Sequence, residues 1–288
     1  MTPCSSAPHK SAAPAAASSD LHNPALPEPI SPASHKTALP STPAPMPVTH
    51  AMSAAHMRWL EYPLLLLVPA CMVASLIWTD IPAAALMLLV VIVVLVLFFM
   101  SYDRARPGLR QLMPVLVLSA LAAAGRILFA PIPDVKPVSA IAIIAGVALG
   151  RREGFMVGAL AALTSNFFFG QGMWTPWQMY AWGLVGYGAG LLNDAHLIMR
   201  LNGQPRMALV LTYGALSGFI FGAIINSYDI LGFVRPLTWG GAIARLVSAL
   251  PFDILHSLAT CAFLAVLFVP WIRRIERVVQ KFMLHGYE

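Results

Sequence analysis

The run from Ala83 to Met100 contains no polar side chain. A bilayer core of about 30 Å takes roughly 20 helical residues, and this run is close to that length. A backbone in lipid must satisfy its own amides, which leaves helices as the way to build with such segments. Seven further apolar segments accompany it, and together they are expected near 62–78, 83–100, 111–130, 138–150, 154–169, 176–193, 207–226 and 243–269. The fourth is short for a full crossing and reads as a tilted or partial span. Composition agrees: the chain is 58% hydrophobic and 10% charged, with a mean hydropathy of +0.74. The expected fold class is therefore an all-α polytopic membrane protein.

Charge gives the orientation. The formal charge of +6 lies in short clusters between apolar runs, which suits a membrane and does not imply nucleic acid. With the N-terminus in the cytoplasm, Arg104, Arg106, Arg110, Arg151, Arg152, Arg200, Arg206, Arg273, Arg274, Arg277 and Lys281 all fall inside. Lys136 and Arg235 fall in outer loops. Arg126 and Arg245 lie in the outer thirds of helices, where snorkelling to the headgroups accounts for them. Both termini are then cytoplasmic in a multi-pass membrane protein.

Residues 1–56, rich in Ala, Pro and Ser, lack the apolar side chains to offset ordering entropy and read as a disordered cytoplasmic tail. Residues 57–103 hold two helices, 104–272 six more, and 273–288 a basic cytoplasmic tail. Cys4, Cys71 and Cys261 are isolated, so neither a disulfide framework nor a metal site is expected.

One stretch stands apart, Ser165 to Gly183. Apolar helix enters it, turns at Gly170-Gln171-Gly172, and restarts under Trp174, Trp177, Tyr180 and Trp182. Thr175 suits an N-cap, Pro176 the first helical position, and Gln178 the third partner of a capping box. Trp and Tyr favour the membrane interface, so an aromatic belt around a tight loop explains the pattern. A lid over a ligand pocket explains it equally, with Asn166 and Gln171 bonding either a ligand or the hairpin itself.

Polar groups at membrane depth are costly and each needs a reason. Asp253 and His256 are three apart on the last helix, just after Pro251, which cannot donate to the Val247 carbonyl. They either bond each other, cap a kink, or face a cavity. Ser248 and Ser257 read as residues bonded back to their own helix. Small residues recur at helical spacing at Gly214/Gly218/Gly222, Gly186/Gly190, Gly154/Gly158 and Ala120/Ala124, which allows close helix approach. No lysine follows a glycine, so there is no P-loop, and neither H-E-x-x-H nor G-x-S-x-G occurs.

Several pieces resemble the substrate-binding S components of energy-coupling-factor (ECF) vitamin transporters. They are Gly125-Arg126, Pro131-Ile132-Pro133 with Pro137, Gly150-Arg151-Arg152-Glu153-Gly154-Phe155, Ser165-Asn166-Phe167-Phe168, and Gln171 through Gln178. The resemblance spans roughly 110–272. It implies a six-helix S-component-like core that is not an enzyme, with no intrinsic cofactor. Such a subunit captures a micronutrient at the outer face and docks on a T subunit with two ATPase subunits, which use the ATP. It implies a pocket at Arg126, Asn166, Gln171, Trp174, Trp177, Asp253 and His256, and docking through Ala120 and Ala124. A corrinoid, a flavin or another heterocycle suits the aromatic lining. The two front helices are extra to that pattern. Two other classes remain open: an intramembrane enzyme using Asp253 and His256, and a membrane scaffold or sensor.

Overall fold

The computed structural model describes residues 109–284 continuously, with helical positions at 63, 65–68, 70, 88–89, 91–96 and 99–100 before them. The expected tail over 1–56, and much of the helical pair over 57–103, lie outside the described residues. Six helices fill the continuous part: α1 (Leu109–Leu128), α2 (Val138–Leu149), α3 (Arg151–Phe169), α4 (Thr175–Asp194), α5 (Met207–Phe233) and α6 (Trp239–Leu284). The described residues contain no strand. Met207–Phe233 and Trp239–Lys281 are long and apolar enough to cross a membrane.

The middle of the bundle is α2. Every residue from Val138 to Val147 is buried, on all sides of the helix, as expected of a helix apolar all round. It packs against α3, α4 and α6, with α1 and α5 at its margins. The 12-residue α2 rises only about 18 Å, short of a bilayer core of about 30 Å, and lies at the centre of the bundle. The short length expected for the fourth segment is thus matched.

Close backbone approach holds α2, α3 and α4 together. A Cβ placed on Gly186 of α4 would overlap the backbone of Gly154 in α3, and one on Gly146 of α2 would overlap the backbone of Gly186. Only hydrogen fits at this three-way crossing. Gly150, at φ +122°, breaks the chain for one residue between α2 and α3. Helix α3 resumes at Arg151, earlier than the expected 154, because Arg151, Arg152 and Glu153 make its first turn. Glu153 suits the positive end of that helix, and Arg151 pairs with Asp194 at the end of α4 (3.8 Å).

Helices α5 and α6 extend well past the expected 226 and 269. Helix α6 runs through Pro251 and Pro270, and at 46 residues spans about 69 Å. Thr238 starts it by accepting the Gly241 N–H (3.1 Å). The basic tail expected from 273 is, as far as 284, more of this helix. Ile272 is buried and Ile275 packs on the core, while Arg273, Arg274 and Arg277 stay exposed. That is an amphipathic period, which continues a helix instead of ending it. Before α1, the early helical positions join the same core: Leu65, Val68, Val91 and Val94 pack with Val115 and Leu118.

Candidate functional site

Arg126, one turn before the end of α1, is 6% exposed and points into the bundle. It does not snorkel, correcting the expectation for an arginine in an outer third. Its Nη1 donates to Ser165 Oγ (2.6 Å) and Asn166 Oδ1 (2.7 Å) on α3. The rings of Phe169 and Trp182 lie against the guanidinium, 4.6 and 4.9 Å from its central carbon. Among the described residues, this buried charge is held by two neutral oxygens and two ring faces instead of a counter-ion. No carboxylate among the described residues is within ion-pair distance of it. Its Nε has no hydrogen-bond partner, and no described residue bonds Nη2.

The hairpin hangs on Asn166. Its Nδ2 donates to Thr175 Oγ1 (3.0 Å) and Gln178 Oε1 (2.8 Å). Thr175 donates to Gln171 Oε1 (3.0 Å), accepts from the Gly172 N–H (3.3 Å), and Gln171 Nε2 reaches back to the Leu163 carbonyl (3.0 Å). The expected capping box is absent: Trp174 holds the N-cap position without a side-chain bond, and Thr175 is already helical. The reason is competition. Gln178 takes the amide of Asn166, a buried donor, in place of a backbone N–H that water could have satisfied.

A second arm leads to α6. Trp182 Nε1 donates to Ser139 Oγ (3.2 Å), and Ser139 shares a hydrogen bond with His256 Nε2 (2.8 Å). Phe221 fills the angle between them, its ring 4.5 Å from Trp182 and 4.8 Å from His256. Arg126, Trp182, Ser139 and His256 thus form one buried polar seam across α1, α4, α2 and α6.

Other candidates sit apart from it. Asp253 lies against Gly222 of α5 and makes no bond to His256, so the two do not act as a pair. Trp177 is 1% exposed and packs beside Tyr228 (6.2 Å). Trp174 is 39% exposed at the hairpin, folded over Gly172. Arg245 pairs with Asp229 on α5. Ser248 bonds back to Arg245 as expected, but Ser257 crosses to the Ala215 carbonyl of α5 (2.7 Å). Close packing is the reason: Gly218 brings the α5 backbone up to Ser257. Ala120 and Ala124 are exposed on α1, while Ala122 and Ala123 turn inward.

Ser139, Ser165, Phe169 and Phe221 are not among the site residues expected from the sequence, although Ser165 lies in the motif that carries the resemblance. Ser165 stood next to Asn166 and could have been found by that adjacency. Ser139 in an otherwise apolar helix carried the signal common to any intramembrane hydroxyl. Trp182 was seen as part of the aromatic shoulder, but not as the link between Arg126 and α6. No group of acids, histidines and cysteines among the described residues could hold a metal ion.

Fold and site together define, among the described residues, an all-helical bundle with two helices able to cross a membrane, around a buried arginine that no described carboxylate pairs with. The chain belongs to the family described as "Family of unknown function (DUF6580)", which matches residues 108–279. That range holds all of α1 to α5 and most of α6, and excludes the early helical positions. No curated protein and no solved structure matches the chain.

Proposed function

We propose that this protein is the substrate-capture subunit of an ECF-type importer. It takes a vitamin-like micronutrient at the outer face of a prokaryotic membrane and docks on a T subunit driven by two ATPases. The observation that carries the reading is the buried Arg126, set among aromatic rings with one edge unpartnered. A group so costly to desolvate is a functional-site hypothesis in a membrane helix bundle. Ser165-Asn166 and Gln171 to Gln178, which carry the family resemblance, are also the residues that hold Arg126 and the hairpin. The missing P-loop leaves ATP to the partners. Outward-facing Ala120 and Ala124 suit docking between helices in lipid, where small residues permit close approach.

In this reading the chain is multi-pass, with both termini cytoplasmic. The hairpin at 170–174 and the turns at 129–137 and 234–238 then share the outer end, and residues 195–206 face the cytoplasm. An acid–base enzyme using Asp253 and His256 has less support, since the two have different neighbours.

The test is native mass spectrometry of the purified protein, followed by uptake of the co-purified compound in cells co-expressing T and ATPase subunits. Binding without turnover, and uptake dependent on ATP, are expected. Conversion of the compound by the protein alone, or uptake indifferent to the ATPases, overturns the proposal.

A further inference from the structure

Arg126 is asymmetric in its bonding, and the asymmetry bears on what is captured. Nη1 is committed to Ser165 and Asn166. Nε and Nη2 form the side from which a guanidinium donates two parallel hydrogen bonds to one oxyanion. That side has no partner among the described residues, and Nε is fully buried without one. Elsewhere in the chain, Arg151 and Arg245 each have a carboxylate, Asp194 and Asp229. Arg126 alone of these three relies on neutral oxygens and ring faces. Two hydrogen bonds and one negative charge are missing from the same edge. Phe169, whose ring lies on the guanidinium, is itself 43% exposed at the end of α3.

We infer that the captured substrate is an aromatic or heterocyclic carboxylic acid, whose carboxylate bridges Nε and Nη2 of Arg126. A planar carboxylate fits that edge in the plane of the guanidinium, while Phe169 and Trp182 cover ring faces and offer surfaces for a flat ligand body. The substrate class rests on the capture reading above. The arginine's need for an oxyanion does not.

The experiment is thermal unfolding of the full chain in detergent, titrated with sodium benzoate at constant ionic strength. Benzamide and inorganic phosphate serve as comparisons. Benzoate is expected to raise Tm saturably, and benzamide, of the same shape without the charge, to leave it unchanged. Arg126→Gln is expected to lose the benzoate response. Because that variant removes two interhelix bonds, Asn166→Asp provides a second arm. It places a carboxylate at 166 beside the guanidinium, and is expected to suppress the benzoate response while the protein still folds. No rise with benzoate, an equal rise with benzamide, or a full benzoate response in Asn166→Asp overturns the proposal. A rise with phosphate but not benzoate also overturns it, since the site then prefers a tetrahedral anion. The two proposals fail separately. A benzoate response in a protein that never supports uptake removes the importer and keeps the oxyanion site. ATP-driven uptake of a neutral compound, with no benzoate response, keeps the importer and removes the acid.

Discussion

Single residues decide where these helices can meet. Gly186 has no room for a methyl group, because its neighbour is the backbone of Gly154 rather than a side chain that can turn away. Gly186→Ala is therefore expected to lower stability by about 1–3 kcal/mol, the usual range for overpacking, read as a fall in Tm in detergent. A contrast between two serines tests the hydrogen bonds. Ser257 holds α6 to α5 through the Ala215 carbonyl, whereas Ser248 bonds only its own helix. Ser257→Ala should cost about 0.5–1.5 kcal/mol, and Ser248→Ala should change stability by less than about 0.5 kcal/mol. Equal Tm shifts in the two variants would contradict the cross-helix role.

At the scale of elements, α1 has two faces with different work. Val115, Leu118, Ala122 and Arg126 turn inward, and Leu116, Val117, Ala120, Leu121 and Ala124 turn out. Enlarging the outer stripe, Ala120→Leu with Ala124→Leu, adds bulk on the exposed face of α1. The double variant is expected to fold and bind small molecules like the parent, with Tm unchanged, while assembly with the T subunit and uptake fail. Normal uptake would remove α1 from the coupling surface. The hairpin between α3 and α4 is held by side chains rather than by its own backbone alone. Thr175→Val deletes three hydrogen bonds, those from Asn166, from the Gly172 N–H and to Gln171. Faster proteolysis at 170–174 is expected, with the α3–α4 crossing intact because it rests on glycines further down.

For the whole molecule, the proposed reading puts both termini in the cytoplasm, as the arginine distribution suggests. A reporter fused after Glu288 should be active only if it is a kind that works in the cytoplasm. Activity of an exported reporter at that position would invert the orientation. Helix α6 adds a detail to this test. At about 69 Å it is roughly twice the thickness of a bilayer core, and its last exposed arginines, Arg273, Arg274 and Arg277, sit on the end that would enter the cytoplasm.

The helices themselves were legible in the chain, because apolar length and arginine punctuation follow from what a lipid environment tolerates. Their number after 109 and the shortness of α2 could be read directly. The ends of α5 and α6 could not, since amphipathic turns beyond the apolar runs look like tail until a core is there to receive Ile272 and Ile275. Asn166, Gln171 and the Gly170–Gly172 turn announced a hairpin through their types and spacing. Its bonds went differently from the local pattern because Asn166, buried in the fold, drew Thr175 and Gln178 away from capping. The pairing of Asp253 with His256 was suggested by their spacing on one helix, and the fold separated them by giving each a different neighbour, Gly222 and Ser139. Arg126 marks the limit most clearly. Its position in an outer third of a helix is a property of the sequence, but burial is a property of the bundle. Only the packing of α3 and α4 around α1 closes Ser165, Asn166, Phe169 and Trp182 over it, so only the tertiary structure shows a buried positive charge with one edge that no described residue bonds.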